Sequence, residues 1–189
     1  MFSHSLGGRL ELRPLEMRHA EPLFALVEAN RAYLHTWLGW VDGAVDLADI
    51  EAFLRRVLHQ QSNNDGIQAG IWDEGALVGV IGQNFIDWRD RKTELGYWLS
   101  TAAQGKGIMT RACQALVDYS LQELALNRVE ILCAAGNLRS RAIPERLGFV
   151  QEGVMRQAEW LHDHYVDLVV YGMLAEEWRR GPARNTKER

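Results

Sequence analysis

Glu94-Leu95-Gly96-Tyr97-Trp98-Leu99 leads through residues 100–103 into Gln104-Gly105-Lys106-Gly107-Ile108-Met109-Thr110, and on into a segment carrying Ala112, Leu116 and Tyr119. Leu95, Tyr97 and Leu99 alternate with Glu94, Gly96 and Trp98, a period of two that suits a strand. Ile108, Ala112, Leu116 and Tyr119 recur at helical spacing, and Met109 and Cys113 widen that stripe. Between the two elements, Gly105 and Gly107 let the backbone turn tightly and come close to a ligand. A loop feeding a helix N-terminus presents unpaired N–H groups and the positive end of a dipole, which suits a phosphate. Lys106 adds a cation at its mouth. The reading is strand, glycine loop, helix.

Two phosphate loops are excluded. Gly-x-x-x-x-Gly-Lys-Ser/Thr is not supplied by residues 104–110, and Thr110 stands where Gly-x-Gly-x-x-Gly needs its third glycine.

The remaining elements follow in order. Residues 9–13 alternate charge with Leu10 and Leu12 and end at Pro14, an expected first strand. Pro22 suits the first turn of a helix carrying Leu23, Leu26, Val27 and Asn30. Tyr33, Leu34, Trp37, Leu38 and Trp40 form an aromatic segment, read either as core or as the wall of a substrate cleft. Residues 46–61 make an amphipathic helix with Ile50, Phe53, Leu54, Val57 and Leu58 on one side. Residues 67–72 and 77–86 read as a hairpin turning at Asp73-Glu74-Gly75, and the organising strand comes next. Residues 128–134, with Val129, Ile131 and Cys133 alternating, form a strand parallel to it through a right-handed crossover. Residues 137–147 are a short helix ended by Gly148. Pro144 cannot donate to the carbonyl four residues back, so this helix is expected to begin near Ser140 or to bend. Residues 149–157 and 165–174 close the chain as a hairpin around His162-Asp163, and residues 179–189 form a polar tail.

The 189 residues are 47% hydrophobic and 24% charged, with a net charge of −4. That is one domain of ordinary size, able to bury about 70% of its unfolded surface. Dispersed Lys and Arg argue against a nucleic-acid binder, and no apolar run is long enough for a bilayer. Seven Trp without a basic groove are read as core or pocket wall. The N-terminal residues lack a basic segment followed by an apolar one, so no secretory signal is expected. Cys113 and Cys133 fall on apolar faces and read as buried thiols, with a cytoplasmic compartment as the default and no metal site.

Asn137-Leu138-Arg139-Ser140 followed by Glu145-Arg146-Leu147-Gly148-Phe149 adds a second motif. Together with Leu95-Gly96-Tyr97-Trp98-Leu99 and the loop at 104–109, it resembles the RimJ/RimL branch of the GNAT N-acetyltransferases, over about residues 10–178. The Gly107-Ile108-Met109 and Gln157-Ala158-Glu159-Trp160-Leu161 runs are closest to the ribosomal-protein-serine acetyltransferases. In the loop pattern Gln/Arg-x-x-Gly-x-Gly/Ala, Gln104 and Gly107 match, while Met109 fills the last small position.

The resemblance implies an α+β GNAT fold over residues 1–178: a mixed, mostly antiparallel sheet flanked by helices, with a strand splay at the acetyl-CoA site. It implies acetyl-CoA as cosubstrate, its pyrophosphate on Gln104, Gly105, Lys106, Gly107, Ile108, Met109 and Thr110. The pantetheine would lie in the splay, bonded near Trp98 and Leu99 and to Asn137, as an added strand would be. A backbone N–H near Leu99 would polarise the thioester carbonyl. Many members use a tyrosine on the last short helix as the acid; Pro144 occupies that position here. Ser140, where resembling enzymes carry a serine, becomes the candidate acid and CoA contact, with helix capping as its other role. Glu159 is the candidate base, directly or through a water, with His162 and His164 as alternatives. Trp37, Glu159 and Trp160 are the candidate substrate contacts. A homodimer is expected from the resemblance alone.

Freeing an α-amine of pKa about 7.7 at pH 7 costs roughly 1 kcal/mol, against about 4.6 kcal/mol for a lysine of pKa about 10.4. With one candidate carboxylate base, an N-terminal α-amine of a protein, such as a ribosomal protein, is the better-matched acceptor. A small-molecule amine and a non-catalytic CoA-binding module stand as the alternatives.

Overall fold

The structure is a computed structural model that describes residues 4–181. Its centre is one eight-stranded sheet. In chain order the strands are β1 (His4–Gly7), β2 (Leu10–Pro14), β3 (Gln68–Asp73), β4 (Ala76–Asp87), β5 (Lys92–Leu99), β6 (Arg128–Ala134), β7 (Val150–Leu161) and β8 (His164–Leu174). They lie side by side as β1-β2-β3-β4-β5-β6-β8-β7. Every neighbouring pair is antiparallel except β5–β6, the one joined by a helical crossover. The expected mixed, mostly antiparallel sheet is present.

Helices cover both faces. α1 (Ala20–His35) and α2 (Leu47–Ser62) bury Leu23, Val27, Leu34, Ile50, Leu54 and Val57 against Trp72, Leu77 and Val80 of the sheet. On the other face α3 (Ile108–Asp118) places Ile108, Ala112 and Leu116 against Leu12, Ile71, Ile81, Leu95 and Ile131. α4 (Leu138–Arg146) lies beside α3, and α5 (Ala175–Arg180) follows β8. The two periodicities read from the sequence thus bury their apolar faces on opposite sides of one sheet. Asp46 caps α2 by accepting from the Asp49 N–H at 3.1 Å.

Four details differ from the sequence reading. A short strand, β1, precedes the expected first strand and pairs with it across Gly7 and Gly8. The crossover helix, whose stripe was expected to include Tyr119, is regular only to Asp118 and continues through Tyr119–Glu123 as a π turn, where the Ser120 hydroxyl donates to the Leu116 carbonyl at 2.7 Å. α4 begins not near Ser140 but at Leu138, with Asn137 as its cap, and carries Pro144 inside it. Residues 179–180 belong to α5, and the rest of the expected polar tail, 182–189, lies outside the described residues, as does the start at 1–3. Among the described residues no helix is long and apolar enough to cross a membrane.

Candidate active site

β5 and β6 pair only at Lys92–Arg128, Thr93–Val129 and Glu94–Glu130. Past Glu94 each strand follows its outer neighbour, β5 to Leu99 beside β4 and β6 to Ala134 beside β8, and a wedge opens between them. Ser100 N–H bonds the Val78 carbonyl at 2.8 Å, so the antiparallel alternation gives the backbone groups of Trp98 to Val80. Those of Tyr97 and Leu99 face the wedge, and the Gln104 amide reaches the Leu99 carbonyl there at 3.3 Å. The wedge opens into a cleft of about 930 Å³, at the carboxyl ends of two parallel strands where α/β sheets place their ligands.

The glycine loop forms one wall. Gly107 is the N-cap of α3, at φ 71°, and has no side chain with which to satisfy the first-turn N–H groups. Gly105, Ile108, Met109 and Thr110 line the cleft beside it. Lys106 does not line it. The cations on the cleft are Arg111, from the first turn of α3, and Arg139 and Arg146 from the opposite helix α4. Arg139 donates to the Gln104 side-chain oxygen at 2.8 Å, and Arg146 to the Thr110 hydroxyl at 2.7 Å. Arg139 and Arg146 are seven residues apart, two turns along one helix face, a spacing that is legible in the sequence. Free N–H groups, a dipole end and three guanidinium groups around one loop fit a diphosphate.

Asn137 and Ser140 lie on the facing wall. The Asn137 side chain accepts from the Ser140 N–H at 3.1 Å, so the helix cap is Asn137 and the Ser140 hydroxyl is free of that duty. Instead it lies 3.2 Å from the Cys133 sulfur and donates to the Tyr97 hydroxyl at 3.3 Å. Both cysteines are buried and unpaired by any disulfide. Burial holds the Cys133 thiol above its ordinary value, so it stands beside Ser140 as a neutral group.

The acceptor side is built from two segments. Trp37, just past α1, lines the cleft and approaches Gly136 beyond β6. The β7–β8 hairpin carries Glu159 and Trp160, neither of which lines the main cleft. Glu159 is half-buried, and its carboxyl is raised above the usual glutamate value, first by burial and then by the charge of Glu94. Glu94 is the last residue before the strands part. The Asn84 side chain holds Glu94 at 2.6 Å. Trp160 is 55% exposed and packs edge-on against Tyr165, leaving an aromatic face open to solvent. His162 is tied to α1 at the hairpin tip, whereas the His164 ring lies on the surface 2.7 Å from the Asp163 carboxylate.

The Acetyltransferase (GNAT) domain family matches residues 9–150. YdaF of Bacillus subtilis (strain 168), provisionally named a ribosomal N-acetyltransferase, is 38% identical over 180 residues, covering 94% of this chain and 98% of its own. The ribosomal-protein-serine acetyltransferase of Escherichia coli (strain K12) is 33% identical over 169 residues, 88% of this chain and 93% of its own. Among solved structures, RimL, a ribosomal L7/L12 α-N-protein acetyltransferase in complex with coenzyme A, superposes with a TM-score of 0.88 at 28% identity. It covers 92% of this chain and 98% of that one. With the forked sheet, the glycine loop and these matches together, the chain belongs to the GNAT acetyltransferase family and is an acetyl-CoA-dependent N-acetyltransferase.

Proposed function

We propose that the acceptor is the N-terminal α-amine of a protein, a ribosomal protein in the first instance. The observation that carries this reading is Glu159: a half-buried carboxylate on β7, its proton affinity raised by burial and by the charge of Glu94, the last residue before the sheet forks. A base poised closer to neutral pH removes the proton of an α-amine at small cost, and no second carboxylate is needed. The names of the two curated relatives support the same acceptor class.

In this reading the diphosphate of acetyl-CoA sits on Gln104, Gly105, Gly107, Ile108, Met109 and Thr110, with Arg139 and Arg146 closing over it. Lys106 adds only a distant charge. The pantetheine runs along the open edges of Tyr97 and Leu99, beside the Trp98 side chain and Asn137. The amine nitrogen bonds the acetyl carbon while the Leu99 N–H polarises the carbonyl oxygen. The carbon–sulfur bond then breaks, its electron pair goes to sulfur, and the surplus proton on nitrogen passes to Glu159, directly or through a water. The Ser140 hydroxyl donates to the departing sulfur. Trp37 and Trp160 flank the incoming N-terminus.

Peptides with free and blocked N-termini, assayed by thiol release from acetyl-CoA, test the acceptor. Turnover of free N-termini is expected. Turnover confined to lysine side chains or to small amines such as polyamines overturns the reading, and acetyl-CoA binding without thiol release from any amine leaves a non-catalytic module. The homodimer implied by the resemblance is part of this proposal and is read by light scattering.

A further inference from the structure

The Tyr97 hydroxyl meets Ser140 at two atoms. It donates to the Ser140 carbonyl oxygen at 3.1 Å and accepts from the Ser140 hydroxyl at 3.3 Å. The first bond has its origin in Pro144. A proline has no N–H, so the carbonyl four residues earlier, that of Ser140, loses its helical partner. An orphaned carbonyl at the cleft wall would be costly, and a tyrosine from the neighbouring strand supplies the missing donor. α4 therefore passes through Pro144 without a break because β5 completes its hydrogen bonding. Burial keeps the Tyr97 hydroxyl protonated.

The second bond fixes a direction. Tyr97 stands on β5 and Cys133 on β6, the two walls of the wedge, and the Ser140 hydroxyl is held between their polar atoms. We propose that Tyr97 is a positioning residue for acetyl transfer: it holds Ser140 so that its hydroxyl faces the gap between β5 and β6. The proposal rests on the reading of Ser140 as the group that donates to the departing sulfur. When the Ser140 O–H turns from Tyr97 toward sulfur, Tyr97 keeps its own bond to the Ser140 carbonyl. Ser140 can then change partner without α4 moving. No bond to hydrogen breaks at Tyr97.

Three variants test this, read by kcat, by calorimetric CoA affinity and by thermal unfolding. Tyr97→Phe is expected to lower kcat about tenfold, the effect of one hydrogen bond, with CoA affinity unchanged within about twofold. In a Ser140→Ala background, the same change is expected to add less than about twofold, because the two residues act as one unit. Adding Pro144→Ala to Tyr97→Phe returns an N–H for the Ser140 carbonyl, so thermal stability recovers while kcat stays low. If kcat recovers as well, Tyr97 only satisfies a carbonyl and the proposal falls. It falls too if Tyr97→Phe keeps full kcat, or if its effect multiplies undiminished with that of Ser140→Ala. Full activity of Ser140→Ala alone would instead remove the underlying reading of Ser140.

Discussion

His162 lies flat on His35, the ring centres 3.6 Å apart and the planes 5° from parallel. The His162 Nδ1 is 2.7 Å from an Asp42 carboxylate oxygen and its Nε2 is 2.6 Å from the His35 carbonyl oxygen. Both partners are acceptors, so only the doubly protonated ring satisfies both bonds at once, and the geometry favours the imidazolium. His35 ends α1, where the carbonyls form the negative end of the helix dipole. The carbonyl of His35 contributes most to raising the His162 pKa; Asp42 and then Asp163 add to it, and partial burial opposes them. Rings this nearly parallel cannot both aim in-plane lone pairs at one ion, so the His35–Asp42–His162 cluster works as a clamp rather than a ligand set.

Because the folded pKa of His162 lies above its unfolded value near 6.5, the clamp's stabilisation is full below that value and is lost as pH rises through the folded pKa. The imidazole proton resonance of His162 should titrate with a midpoint above 6.5. The stability gap between wild type and His162→Gln should shrink as pH rises past 6.5, and a midpoint at or below 6.5 would remove the clamp.

As the proposed base, Glu159 should govern the acid limb of the pH–rate profile. Its carboxyl must be ionised to accept a proton, and burial and Glu94 both push its pKa above the ordinary 4.5. The profile of kcat/KM with a peptide acceptor should therefore turn down at a pH above that value. Glu94→Gln removes the second cause and should shift the limb to lower pH. Glu159→Gln should abolish it, with a loss of about 10²-fold or more in kcat. Full activity of that variant would end the assignment.

Arg139 and Arg146 reach across the cleft from α4 to the glycine loop, each on a side chain that itself lines the cleft. A charge-assisted hydrogen bond to phosphate contributes about 1.5–3 kcal/mol, so Arg139→Ala and Arg146→Ala should each weaken acetyl-CoA binding about tenfold or more. The deficit should narrow as salt rises, since screening weakens the wild-type contact. Lys106→Ala should have a much smaller effect. Titration calorimetry at two ionic strengths reads all three.

The elements that the sequence disclosed are those whose pattern is local. The stripe at Ile108, Ala112 and Leu116 and the alternation at Val129, Ile131 and Cys133 bury as their spacing demands. What escaped depends on partners distant in the chain. β1 has no apolar alternation and exists by pairing with Leu10–Pro14. In the π turn the Ser120 hydroxyl accepts from the Gln83 amide, 37 residues away, at 3.0 Å. The continuity of α4 through Pro144 depends on a tyrosine 43 residues upstream of Ser140. Glu159 is legible as a candidate, but its raised proton affinity comes from burial and then from the charge of Glu94, 65 residues away in the chain, which only the folded sheet supplies.

Gly107 offers the most direct test of the loop itself. It caps α3 at φ 71°, the left-handed region, and a Cβ built there would meet no atom within 4 Å. The cost of Gly107→Ala to the free protein is therefore backbone strain alone, about 1–2 kcal/mol. The added methyl would project into space that the diphosphate needs if it docks on the first-turn N–H groups. The expected result is a modest fall in Tm together with a rise in the Kd for CoA of about tenfold or more, beyond what the strain alone explains. A variant that loses stability yet binds CoA as tightly as wild type would show that the diphosphate docks elsewhere than on the head of α3.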